Sequence, residues 1–389
     1  MSTMRQSVFG GGFRFRRLLL TVHLWIGIGF AIPFAMLGLT GTYLVFDQDF
    51  ESVPLASAQG TVQTPSAIIG AVLTAQPGAK AQALVMPQRL GEPAIVRLAR
   101  QGGGRGFGPQ IYVDPVSLDV LGRRDNFRNP VTALFHDLHG SLALGGATGR
   151  PLVGWLGVFM TFLGLSGLYL WWPSNGRFRK SIGVSKNARG FLLQRQLHTS
   201  FGVAFWLVFI VVSFSGAMIS FPRQIGPVMQ AAFGAAPPPR NAKIEPVPGA
   251  TPIDATQAAE LALAAAEGSH LGTIVLPADE SQPYRMTLVA DGALAGAPTI
   301  AATVDPYKRE VTSLRDPRTL GFADSFVGWQ RTLHDGRALG WPWKVLVAFS
   351  GLLPPLFVVT GTWMWLARRK ARQYLRATGH GATQAVPAE

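Results

Sequence analysis

Four long apolar runs constrain this chain more than any other feature. They lie at about 18–46, 152–172, 201–221 and 341–366, with no Asp, Glu or Arg in their interiors and a single lysine, Lys344, at the entrance of the last. A helix needs about 20 such residues to cross the hydrocarbon core of a bilayer. The sequence therefore predicts an α-helical membrane protein with four transmembrane helices. A hydrophobic content of 48% with only 14% charged residues fits a membrane protein that also carries sizeable water-exposed parts.

The net charge of +14 raises the question of a nucleic-acid partner, and its placement answers it. Residues 1–17, 174–197 and 367–389 together carry fifteen basic residues and one acid, Glu389. Segments 47–150 and 222–340 carry nineteen basic and twenty acidic residues, close to neutrality. The surplus falls on one side of a four-span topology, as the positive-inside rule requires. It is a topology signal and implies no nucleic acid. Both termini and the 173–197 loop are expected in the cytoplasm, and segments 47–135 and 222–330 on the exported side. The A-x-A pattern in LASAQG (55–60) resembles a leader-peptide cleavage site. The preceding apolar run is about twice the usual length, and Asp47, Asp49 and Glu51 intervene, so the first run is expected to remain as a span. With no cysteine, disulfides, thiolate-held Fe–S clusters and covalently attached c-type haem are excluded.

The chain reads as two copies of one unit. His23 and His198 each open an H-x-x-x-G pattern, with Gly27 and Gly202, and the two frames close on GLTG (38–41) and SFSG (213–216), ending at Gly41 and Gly216. LHGSLALG (138–145) matches LHDGRALG (333–340), and SGLYLW (166–171) matches TGTWMW (360–365). In the exported segments TPSAIIGAVLTA (64–75) and TPIDATQAAELALAAA (251–266) predict Ala-rich helices with Pro in the first turn. Strand-like pieces follow: QALVMP and EPAIVRL in one copy, GTIVLP and QPYRMTL in the other. IYVDPVSLDVLG then pairs with ATVDPYKREVTS, β-rich stretches with Asp-Pro at the turn. The Gly-rich QGGGRGFG (101–108) precedes no helix and reads as a hairpin loop.

The resulting order is a cytoplasmic N-terminus with the first span (1–46), an exported α+β domain (47–135), and an outer His segment with the second span (136–172). The basic loop (173–197), third span (198–221), second exported α+β domain (222–330), outer His segment with fourth span (331–366) and basic tail (367–389) complete it. This layout resembles the PepSY-associated transmembrane family over nearly the whole chain. The Thr-Pro helices, the paired VDP stretches, the H-x-x-x-G openings and the LH…ALG motifs carry the likeness. The resemblance implies two PepSY-like exported domains. It also implies a relation to inner-membrane ferric-siderophore reductases that carry haem, although members of one family need not share a substrate.

Of seven histidines the repeat selects His23, His139, His198 and His334, with His136 as a further candidate beside His139. A single histidine at a membrane interface is explained by headgroup contact or helix capping. Four in symmetric positions, a pair at each face, point to ligation, because intramembrane ionisable groups are costly and neutral imidazole is a natural ligand for metal or haem iron. Eighteen residues is five helical turns, so His23 and Gly41, and likewise His198 and Gly216, are expected on one helix face. Gly27, Gly38, Gly41, Gly202 and Gly216 offer either a surface for a flat macrocycle or ordinary close helix packing. With only Asp137 and Asp335 nearby and no thiol, a bare zinc or copper site lacks ligands. Two b-type haems, each held by two histidines, fit better, with Trp25, Trp206, Trp363 and Trp365 as candidate packing rings and Trp171 and Trp172 as interface residues.

The expected function is reduction of a ferric siderophore or other Fe(III) chelate outside the cytoplasmic membrane. An external donor, quinol or a cytoplasmic reductase, supplies the electron, because no nicotinamide or flavin motif is present. Arg123, Arg124 and Arg128 form a basic cluster near the outer histidines in sequence. Two rival readings stand beside it: a membrane-anchored PepSY module that binds or inhibits exported proteases without haem, and a haem carrier serving another redox protein.

Overall fold

The computed structural model describes residues 6–47, 49–50, 53–100, 107–125, 128–173, 176, 178–234, 243–247 and 249–378. The chain begins with α1 (Gln6–Gly29), α2 (Ala31–Leu44) and α3 (Pro65–Ala75), followed by β1 (Ala81–Val85), β2 (Ala94–Ala99), β3 (Phe107–Val113) and β4 (Val120–Arg124). Then come α4 (Pro130–Ser141), α5 (Gly149–Trp171), α6 (Phe178–Ile182), α7 (Gly190–Ala204), α8 (Trp206–Ser220), α9 (Pro222–Phe233) and α10 (Ala255–Ala265). The last part holds β5 (Ser269–Val275), β6 (Tyr284–Ala290), β7 (Ile300–Asp305), β8 (Glu310–Arg315), α11 (Phe322–His334), α12 (Trp341–Gly351) and α13 (Leu353–Ala377). Two compact units result. Met1–Phe46, Leu134–Pro222 and Leu333–Glu389 make a helical unit, and Asp47–Ala133 with Arg223–Thr332 make a sheet unit.

In the helical unit, α5 and the run Trp341–Ala377 are each long and apolar enough to cross a membrane. The first and third apolar runs meet the same test only as bent pairs. Arg14–Gly29 and Ala31–Leu44 meet at 67°, and Gly190–Ala204 and Trp206–Ser220 at 70°. The breaks fall at Phe30 (φ −110°, ψ 20°) and Phe205 (φ −107°, ψ 10°). Pro33, three residues into the first break, lacks an N–H and crowds the preceding turn, which accounts for that bend. The second break has no proline, so proline is not its cause.

Glycines let the helices approach. A Cβ at Gly157 would stand 3.1 Å from Ser213 O and Ala217 N, and one at Gly164 2.6 Å from Ile210 Cδ1, so α5 lies directly on α8. Gly38 faces Gly351 O and Pro354, while Gly351 faces Thr42 Oγ1, joining α2 to the α12–α13 junction. Thr42 Oγ1 donates to Ala348 O at 3.0 Å in the same contact. Small residues serve helix packing in lipid in this way, where burial of apolar surface gives no driving force.

The sheet unit corrects the expectation of two separate exported domains. Its eight strands form one antiparallel sheet in the order β4-β3-β2-β1-β5-β6-β7-β8, each half contributing four. The halves join where β1 meets β5, with Ala83 opposite Val275, Leu84 opposite Ile274 and Val85 opposite Thr273. Leu84 and Ile274 are fully buried in a core shared by both halves, with Ile68, Val96, Ile111, Ala258, Met286 and Ile300. The core thus draws its side chains from both halves. The helices α3 and α10 meet through reciprocal bonds, Ser66 N to Thr256 Oγ1 and Thr256 N to Ser66 Oγ, both 3.1 Å. α3 starts as expected, with Thr64 as N-cap and Pro65 in the first turn. α10 starts later than Thr251-Pro252, because Asp254 and Gln257 form a capping box that satisfies the first-turn N–H groups.

Both Asp-Pro turns are present. Asp114 accepts from Val116 N and Ser117 N, and Asp305 from Tyr307 N and Lys308 N. The Gly-rich 101–106 lies outside the described residues, while the flanking β2 and β3 pair antiparallel. His380 and the tail beyond 378 also lie outside them.

Candidate functional site

The four histidines selected by the repeat converge in two pairs within the helical unit. The ring centres of His23 and His198 are 6.5 Å apart at an interplanar angle of 67°, and those of His139 and His334 are 6.0 Å apart at 48°. His23 comes from α1 and His198 from α7, whereas His139 and His334 come from α4 and α11, the short helices that precede α5 and α12. A turn with two residues in the left-handed region, Leu142 (φ 53°) and Ala143 (φ 57°), leads from α4 to α5. The pairs lie at different levels of α5. Gly167 neighbours His23, while Gly157 abuts the stretch of α8 that holds His334. From 157 to 167 one unbroken helix rises roughly 15 Å.

Each ring is held in the same way, by a Ser or Thr and the glycine after it. His23 Nδ1 bonds Ser166 Oγ at 2.8 Å, and His198 Nδ1 bonds Thr360 Oγ1 at 2.9 Å. His139 Nδ1 bonds Leu37 O at 3.0 Å and Thr40 Oγ1 at 3.1 Å, and His334 Nδ1 bonds Val212 O at 2.8 Å and Ser215 Oγ at 3.3 Å. The following glycines, Gly167, Gly361, Gly41 and Gly216, each bring a bare Cα against the Cε1 edge of that ring.

These partners decide the tautomer. A backbone carbonyl only accepts, so Nδ1 of His139 and His334 must carry the proton. Thr360 and Ser166 donate their own hydroxyl protons to Leu356 O and Leu163 O, leaving an oxygen lone pair for His198 and His23. In all four rings the basic lone pair is therefore on Nε2, across the ring from its seat. Ring centres 6.5 and 6.0 Å apart would leave room for one metal atom between the two imidazoles of each pair. Among the described residues no group of three His, Cys, Asp or Glu could hold a bare ion. The donor set suits a metal whose remaining ligands are not from the protein.

Other sequence expectations need correction. Gly41 and Gly216 do not share a face with His23 and His198, because the bends at Phe30 and Phe205 turn them to His139 and His334. Gly38 is taken up by helix packing. A Cβ at Gly27 would meet nothing within 4 Å, and one at Gly202 only the Phe357 ring at 3.7 Å, so these two leave room beside the first pair. His136 is exposed and it is His139 that faces His334. The ring on His198 is Phe357, at 4.8 Å, and not a tryptophan. Trp25 lies against Trp365, Trp206 Nε1 donates to Gly164 O, and Trp363 is exposed. Trp171 and Trp172 cluster with Phe178 at the end of α5. Asp137 accepts from Ser141 and Asp335 pairs with Arg337. In the sheet unit Arg123 is held by Asp125 and Gln76, and His270 by Asp291 and Gln88.

Residues 20–368 match the family described as the PepSY-associated TM region. The chain belongs to that family. No curated protein matches it. Membership of the PepSY-associated TM region, together with the long apolar helices, makes it a membrane protein that joins helices to an α+β unit. The seat residues of this PepSY-associated chain, Ser166, Thr360, Thr40 and Ser215, carry no role in the sequence reading. Their signal is nonetheless there, a hydroxyl residue followed by glycine in each of the four repeat motifs.

Proposed function

We propose that this protein is a duplicated four-span haem protein of a bacterial cytoplasmic membrane that reduces chelated Fe(III), such as a ferric siderophore, on the exported side. One observation carries the reading: two histidine pairs, at two levels of one bundle, with each ring oriented by the same Ser/Thr-Gly seat and a spacing that would let both rings of a pair hold one metal atom. His23 with His198, and His139 with His334, would each hold a b-type haem, which supplies one-electron transfer without a protein nucleophile or acid–base pair. Gly27 and Gly202 leave the space beside the first pair open.

The distribution of charge supports the orientation, with termini and the 173–197 loop cytoplasmic. His23 and His198 then lie toward the cytoplasm, where quinol or a cytoplasmic reductase gives up the electron. His139 and His334 adjoin in sequence the segments that build the sheet unit, and the chelate takes the electron there. Fe(III) becomes Fe(II), a softer ion that oxygen donors hold less tightly, so iron leaves and the chelator survives. A protease-binding module has no use for two oriented histidine pairs inside the membrane.

Pyridine haemochrome assay of the detergent-purified protein is expected to give about two b-type haems per chain. Colourless protein from haem-replete cells would sink the proposal and favour the binding module. His23→Ala or His198→Ala should remove one haem, His139→Ala or His334→Ala the other, and His136→Ala neither.

A further inference from the structure

The two pairs are seated alike in sequence but not in hydrogen bonding. In the first pair each Nδ1–H has a hydroxyl oxygen as its acceptor, Ser166 for His23 and Thr360 for His198. In the second pair each Nδ1–H also reaches a backbone carbonyl, Leu37 O or Val212 O, at a shorter distance than the hydroxyl. The acceptor behind an imidazole raises its basicity and fixes its orientation, and so tunes the metal it holds. A carbonyl survives any side-chain change; a hydroxyl does not.

We infer that Ser166 and Thr360 are positioning residues that set the electron affinity of the first pair, and that Thr40 and Ser215 have no comparable influence on the second. The inference rests on the haem reading above. Among the described residues that hydroxyl is the one acceptor of each first-pair Nδ1–H. Removing it would leave Nδ1–H unbonded, weaken donation from Nε2 and disfavour Fe(III), so the midpoint potential would rise. The second pair keeps its carbonyls and stays near its starting value. This reverses what the hydroxyl–glycine motifs suggest by themselves, since they look equivalent at all four positions.

The test is spectroscopic redox titration of the full chain with one pair intact: His334→Ala isolates the first pair and His198→Ala the second. Thr360→Val and Ser166→Ala should raise the first-pair midpoint by about a tenfold change in the Fe(III)/Fe(II) equilibrium, about 59 mV for one electron. Thr40→Val and Ser215→Ala should move the second pair far less, and Thr360→Ser and Ser166→Thr should restore the original value. Equal shifts at both pairs, or none at the first, would overturn the inference. If the protein carries no haem, the haem reading fails, and the seats are then read by 15N NMR of labelled histidines. Nδ1–H is expected at all four rings, disturbed at His198 by Thr360→Val but kept at His334 in Ser215→Ala. An Nε2–H tautomer at His139 or His334 would refute the seat assignment itself.

Discussion

A methyl group on Gly216 would stand 2.8 Å from Cε1 of His334, and one on Gly41 2.9 Å from Cε1 of His139. At Gly167 and Gly361 the corresponding distances to His23 and His198 are 3.4 and 3.7 Å, close to ordinary contact. The obstructing atom is at the end of a side chain, so Gly41→Ala and Gly216→Ala leave the fold intact by swinging the imidazole aside. That displacement breaks the pairing. Both variants are expected to melt near the wild-type temperature yet lose the second-pair haem, while Gly167→Ala and Gly361→Ala keep about two per chain by haemochrome assay. Retention of both haems in Gly216→Ala would show that the ring has slack on its seat.

At the scale of elements, the bends and turns decide where these residues meet. Without the breaks at Phe30 and Phe205, α2 and α8 would run on along their predecessors and the seats for His139 and His334 would lie elsewhere. In the sheet unit the β3–β4 turn is organised by Asp114. Burial acts to raise its pKa, but hydrogen bonds from Ser57, Val116 and Ser117 outweigh it and bring the carboxyl to about 2. This lies below the unfolded value of about 3.9, so the stabilisation is complete above that pH and is lost as pH falls through about 2. Asp114→Asn is expected to cost about 1–3 kcal/mol at neutral pH, and the gap to wild type should close toward pH 2 in thermal unfolding. A gap that does not change with pH would mean the charge is irrelevant. At the helix starts, Asp254→Ala removes the capping box of α10 and should cost about 1 kcal/mol.

For the whole molecule, the proposed function assigns electron transfer to the helical unit and recognition to the sheet unit. In the proposed topology the long segments 47–135 and 222–330 lie on the side opposite the basic surplus, and the segments on the basic side are short. An impermeant ferric chelate supplied to oriented proteoliposomes is therefore expected to reoxidise the dithionite-reduced haem only from the face proposed as exported, followed by haem absorbance. Oxidation from the other face alone would reverse the proposed direction. Apo-chelator, which takes no electron, should leave the spectrum reduced from either side.

Periodicity and charge placement, which depend on neighbours in sequence, made the four apolar runs, the α+β character of the segments between them and the choice of four histidines out of seven legible before any coordinates. Strand alternation such as EPAIVRL and the two Asp-Pro turns are local too, and they appear as expected. The seats were half legible: SGLYLW with TGTWMW, and GLTG with SFSG, are visible as repeats, but nothing in a string says which histidine a hydroxyl faces. Reading His23 and Gly41 as one helix face assumed a straight helix. The 70° bend at Phe205, which has no proline beside it, leaves no mark in the composition. The single eight-stranded sheet was likewise out of reach, because β1 and β5 pair across nearly two hundred residues and each half carries only part of a shared core. Which acceptor stands behind each Nδ1 was decided by tertiary structure alone, since a backbone carbonyl leaves no mark in the sequence.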